Sequence, residues 1–152
     1  MNGGARAWAR RALCALGMAW AAPNTAIGLL LGAAAMSRGA YPRLRTRDLA
    51  LVFHAVPWGP GGALTIGNVI LHTGHDLDER CYTYARVAGE TADAPIGMGD
   101  HERAHVLQYM VLGPLFLPLY LACGGVRGSN RFERAADRYA MSGRGWWPWN
   151  ID

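Results

Sequence analysis

The sequence predicts an α+β fold, mostly helical, with a small antiparallel sheet and an N-terminal hydrophobic helical hairpin or span. Three observations carry this. Two long apolar blocks occupy residues 12–36 and 106–126, each of helical length. Between them lie short runs rich in β-branched residues, bounded by Gly and Pro clusters. A polar stretch at 131–142 has the composition of a surface helix. A chain of 152 residues suffices for one domain, or for a small domain plus membrane segments. The expected division is a membrane-associated segment, 1–47, and a second domain, 48–152, that contains the apolar stretch 106–126.

The first element follows a basic lead, residues 1–11. The apolar run reads as a signal peptide in part, but it is long and is interrupted by Pro23-Asn24-Thr25. Pro23 removes a backbone donor, and Asn24 or Thr25 is a good N-cap, so the block reads either as two helices over 5–22 and 25–37 or as a single span long enough to cross a bilayer. Every fixed positive charge is an arginine, with a net charge of +4, and the arginines cluster on both flanks: Arg6, Arg10 and Arg11 before, Arg38, Arg43, Arg45 and Arg47 after. A hairpin puts both clusters on the cytoplasmic side; a straight span does not. Basic flanks on an apolar block point to anionic headgroups and thus to a lipid membrane as partner. No interleaved aromatics or nucleic-acid motif are present, so no nucleic-acid partner is expected. Cys14, Cys81 and Cys123 are odd in number and widely spaced, and read as free thiols.

The β-like runs are 49–55 and 63–71, separated by Pro57-Trp58-Gly59-Pro60-Gly61-Gly62. Gly67 inside the second marks a bulge or a close backbone approach. Residues 80–87 read as a third strand or a short helix, and 88–99 as a loop. Asp100 then reads as the N-cap of a helix that runs into the second block, where Pro114 and Pro118 break or kink it. The last helix, 131–142, leads to a tail with Trp146, Trp147 and Trp149, suited to a membrane–water interface or to packing on the domain.

The chemistry concentrates in His101-Glu102-Arg103-Ala104-His105, which reads H-E-x-x-H. On a helix, positions four apart share a face, so His101 and His105 form a metal pair and Glu102 lies beside them. A catalytic zinc site wants three protein ligands and an open position. Glu133-Arg134-Ala135-Ala136-Asp137 supplies a third candidate in Glu133, with Asp137 one turn on, able to orient an imidazole from behind. Alternatively Asn130 and Glu133 form a capping box that needs no metal. Gln108, two turns from His101 on the metal side, is a candidate supporting residue. His72 and His75 read as loop histidines, and His54 as a core histidine.

H-E-x-x-H followed by E-x-x-A-D resembles the membrane-associated gluzincin metallopeptidases, the group of the CAAX prenyl proteases and the HtpX-type proteases. The resemblance covers residues 100–140. It implies a zincin-like core in which His101, His105 and Glu133 bind Zn²⁺ and Glu102 activates water. Gln108-Tyr109, Leu112-Gly113-Pro114-Leu115 and Asn130-x-Phe132-Glu133-Arg134 make the chain more closely similar to small bacterial membrane proteins with this motif, which implies the inner membrane. The chain departs from the family in its short length, its compact proline-rich spacer and its fewer spanning helices. By analogy, 63–71 is the edge strand that pairs with an extended peptide. The expected function is membrane-associated zinc metallopeptidase action on membrane-proximal peptides. The alternative is a non-catalytic metal-binding membrane protein.

Overall fold

The computed structural model of the protein describes residues 3–149; residues 1–2 and 150–152, the ends of the two expected segments, lie outside the described residues. The chain begins with one helix, α1 (Gly3–Met36). The break at Pro23, and with it the hairpin, is absent; of the two expected forms α1 is the single helix. Pro23 removes one intrahelical donor, but the residues beyond it are held in other ways. Thr25 Oγ1 donates back to the Ala21 carbonyl at 3.1 Å, and Asn24 Nδ2 donates across to the Gly113 carbonyl at 2.9 Å. The two residues suited to capping a second helix instead fasten one long helix to the rest of the molecule.

Small residues explain how α1 packs so closely. Its buried positions are Ala21, Asn24, Gly28, Gly32 and Ala35, three or four apart, which places them on one face. A Cβ on Gly28 would lie 2.7 Å from the Val69 Cβ and 2.8 Å from the Ile66 carbonyl; one on Gly32 would enter the Phe53 ring. Outside this stripe α1 exposes Trp8, Leu13, Leu16 and Leu30, each by more than 60%.

Four strands form the main sheet: β1 (Tyr41–Arg45), β2 (Ala50–His54), β3 (Ala63–Ile66) and β4 (Val69–His72), in the order β1-β2-β4-β3. The sheet is mixed rather than antiparallel. β1–β2 and β3–β4 are antiparallel, but β2 and β4 run parallel, with Leu51 opposite Val69 and Phe53 opposite Leu71. The reason lies in the expected single run 63–71, which is a hairpin. Its two-residue turn is Gly67-Asn68, with Gly67 at φ 64°. The turn also meets α1: a Cβ on Gly67 would lie 2.4 Å from the Thr25 backbone N, and Asn68 N–H donates to Thr25 Oγ1 at 3.0 Å. β3 goes out to the edge, and β4 returns beside β2 in the same direction. β1 arises within the basic connector. There Arg45 pairs with Asp48 and Asp78, and Arg47 with Asp100, so half of the second arginine cluster is engaged internally.

Alternation along the strands separates two apolar layers. Phe53, Val69 and Leu71 face Ala35 of α1; Val52 and Ile70 face Val106 and Met110 of α3 (Met98–Leu112). The sheet is thus a filling between the apolar N-terminal helix and the motif helix. A two-stranded ribbon, β5 (Arg80–Cys81) with β6 (Ile96–Gly97), encloses the one-turn helix α2 (Tyr84–Val87), so 80–87 holds both a strand and a helix. Because Gly97 is extended in β6, it occupies the N-cap of α3; Asp100, expected there, is in the first turn. α3 ends where Gly113 takes φ 54°, and a 3₁₀ turn (Gly113–Leu115) leads to α4 (Phe116–Ala122). Pro118 is tolerated in the first turn of α4, where N–H groups have no intrahelical partner. α5 (Arg131–Ser142) crosses α3, and Ala21, Tyr109, Phe116 and Phe132 form a third apolar cluster among α1, α3, α4 and α5. The tail packs onto α5, with the Trp149 ring centroid 5.4 Å from that of Phe132 and the Arg131 guanidinium over Trp149.

Candidate metal centre

α3 and α5 bring His101, His105 and Glu133 together as a buried group whose ligand atoms all lie within 4.8 Å of one another. One turn of α3 separates the imidazoles, and their Nε2 atoms are 3.1 Å apart. Glu133 projects between them from the first turn of α5, its Oε2 3.2 Å from His101 Nε2 and its Oε1 3.6 Å from His105 Nε2. Three donors about 2.0–2.2 Å from a tetrahedral metal stand roughly 3.3–3.6 Å from one another. The observed separations are close to that triangle.

The hydrogen bonds behind the imidazoles determine what these nitrogens offer. His101 Nδ1 donates to Asp137 Oδ1 at 3.0 Å. His105 Nδ1 donates to Gln108 Oε1 at 2.9 Å. Gln108 Nε2 in turn donates to the carbonyls of Phe132 and Trp146, which identifies Oε1 as the atom facing His105. With Nδ1 donating on both rings, the two Nε2 atoms face each other and Glu133, where each either carries a proton or gives its lone pair to a metal ion. Glu133 Oε2 is buried with no hydrogen-bond partner. Two imidazole nitrogens and a carboxylate pointed at one small volume call for positive charge among them, from protons or from a metal ion, and the three donors fit a metal ion. Burial pushes the Glu133 carboxyl up in pKa, but the His105 and His101 imidazoles overcome this and hold it well below the usual carboxylate range.

Asn130 caps α5 by accepting the Phe132 N–H at 3.0 Å, while Glu133 does not reach back to complete a capping box. Its side chain goes to the histidines and accepts a hydrogen bond from the Tyr120 hydroxyl of α4. Glu102 is 6% exposed, and its Oε2 accepts from Thr65 Oγ1 on β3 at 2.6 Å. Burial, then Glu133 and Glu102, push the Tyr84 phenol up to about 12, so it stays protonated at neutral pH. Burial likewise raises the Cys81 thiol, which lies on the same cleft as a neutral, free cysteine. The cleft has two limbs, of about 190 and 170 Å³, that share Ala63, Tyr84, His101 and Glu102. The first is walled by Leu64, Phe116 and Leu117; the second reaches Thr83 and Asp137. The outer edge of the sheet, β3, borders both.

Thr65 and Tyr84 are the residues that sequence reasoning passed over, and Tyr120 is one that it could not single out from Tyr109 and Tyr139. None stands at a diagnostic spacing from the motif, and each arrives through a non-local contact. The remaining histidines stay apart. His72 ends β4 fully buried rather than lying in a loop, with Nδ1 3.2 Å from His54 Nδ1 and Nε2 3.1 Å from Glu79; His75 contacts the Tyr41 hydroxyl. His54 is a core histidine with one nitrogen paired and Nε2 without a partner. No family model, curated protein or solved structure matches this chain.

Proposed function

We propose that this chain is a membrane-associated zinc metallopeptidase of the bacterial inner membrane that acts on membrane-proximal peptides. One observation carries the reading. A three-donor centre, with its imidazole tautomers fixed from behind, shares a cleft with a buried glutamate and an unpaired strand edge. His101, His105 and Glu133 would hold zinc, a borderline-soft ion suited to two imidazoles and a carboxylate. When bound, zinc supplies a Lewis acid for a peptide carbonyl and lowers the pKa of water to near 7.

The other steps belong to the chain. Glu102, steadied by Thr65, takes the proton of the attacking water and passes it to the leaving amine. Tyr84, held protonated, donates to the carbonyl oxygen as negative charge builds on it. β3 offers its free edge to an extended backbone, which selects a peptide over a compact substrate. α1 and the run from α3 through α4 are each long and apolar enough to cross a bilayer, which supports action near the membrane.

The test is zinc content together with peptide hydrolysis by the purified full chain. Stoichiometric zinc in the native chain and in Glu102→Gln, with cleavage lost only in the variant, supports the reading. Absence of zinc from the native chain sinks it. Zinc with no cleavage of any peptide, including sequences presented in micelles, leaves a metal-binding membrane module.

A further inference from the structure

A concavity larger than the cleft lies away from the metal centre. A groove of about 890 Å³ runs between the N-terminal half of α1 and the outer face of α3. Leu13, Trp20 and Met110 give it an apolar floor, while Arg6 and Arg10 stand at one end. Both arginines are exposed and form no ion pair among the described residues. The first acidic residue in the chain is Asp48, so nothing within α1 neutralises them. Trp20 lies ten residues beyond Arg10, about 15 Å along a helix axis. That is about the hydrocarbon depth of one bilayer leaflet. Guanidinium groups at the mouth of a leaflet-deep apolar channel match a phosphate with an acyl chain below it.

The groove also adjoins the metal centre. Trp146 forms part of its wall, and the Trp146 carbonyl accepts from Gln108 Nε2 at 2.8 Å. Gln108 is the residue that accepts from His105 Nδ1.

We propose that this groove binds one anionic phospholipid, its acyl chain along α1 and its phosphate at Arg6 and Arg10, and that the lipid steadies the metal centre through Trp146 and Gln108. The first part stands on the groove alone; the second rests on the metal reading.

The full chain is reconstituted in phosphatidylcholine nanodiscs, and phosphatidylglycerol with brominated acyl chains is titrated in while tryptophan fluorescence is followed. Saturable quenching at a low mole fraction is expected, with Trp20→Phe losing most of the quenched signal. Arg6→Gln/Arg10→Gln abolishes the saturable phase. Arg11→Gln, beside the groove but outside its lining, shifts the midpoint about five-fold or less. Equal shifts for Arg10→Gln and Arg11→Gln, or equal quenching by brominated phosphatidylcholine, overturn the site in favour of general surface attraction. For the coupling, zinc loss to a chelator is expected to slow at least three-fold in phosphatidylglycerol. Gln108→Ala should erase that slowing while quenching persists. Quenching without any zinc binding removes the metal reading and the coupling but leaves the lipid site; zinc retention indifferent to lipid removes the coupling alone.

Discussion

His101 and His105 differ in what stands behind them, a carboxylate for one and an amide for the other. Removing the carboxylate should weaken metal binding without disturbing packing: Asp137→Asn is expected to lower zinc affinity about 10–100-fold in a competition titration, with an unchanged far-UV spectrum. Gln108 is fully buried and serves His105 and two carbonyls at once. Gln108→Leu should therefore also cost about 1–3 kcal/mol in denaturant unfolding, since it leaves buried polar groups without partners. His54 gives a pH signature. Burial, then His72 and Arg43, lower its pKa from the ordinary 6.5. Its unfolded form therefore binds a proton at a higher pH than its folded form. Stability from this residue is complete above about 6.5 and declines as pH falls toward the folded pKa. Melting followed from pH 7.5 to 5 should show a shallower decline for His54→Gln than for the native chain. At this scale the H-E-x-x-H spacing made the histidine pair legible, and the E-x-x-A-D spacing pointed to Glu133. Thr65 and Tyr120 were not legible, because a hydroxyl becomes a partner of Glu102 or Glu133 only once strand and helices are placed.

Among elements, α5 was legible to its ends because Asn130 and Gly143 mark them, and the break before α4 because Gly113-Pro114 marks it. The continuity of α1 was not. Pro23-Asn24-Thr25 looks locally like a helix end, and what overrides that appearance is tertiary: Asn24 and Thr25 find partners in Gly113 and Asn68, far along the chain. The hairpin within 63–71 was also concealed, since Gly67-Asn68 is a two-residue turn inside an otherwise apolar run. Two predictions belong here. Gly28→Ala places a methyl group against the Ile66 backbone carbonyl, which cannot move aside as a side chain can. It should destabilise the chain by about 1–3 kcal/mol in urea titrations. Thr65→Val keeps the shape of β3 but loses the hydrogen bond to Glu102. Zinc affinity should stay the same while the turnover number falls, about ten-fold, toward that of Glu102→Gln; an unchanged turnover would remove β3 from the positioning of the base.

At the scale of the molecule, the sheet lies between two apolar helices, and the donor group sits where the second of them meets α5. Binding of an ion there ties α3 to α5 and favours the folded form alone. At a hundred times the dissociation constant this amounts to about 2.7 kcal/mol. Zinc-loaded protein should thus melt about 5–10 °C above protein stripped by a chelator, by differential scanning fluorimetry in one detergent. One feature of the fold links this assembly to its surroundings. Thr25, two-thirds of the way along α1, is hydrogen-bonded to the β3–β4 turn, and two residues before that turn Thr65 holds Glu102. An apolar helix of this length answers a thinner bilayer by tilting. If the chain works in a membrane as proposed, a tilt of α1 would meet β3 at its turn, and from there the carboxylate of Glu102.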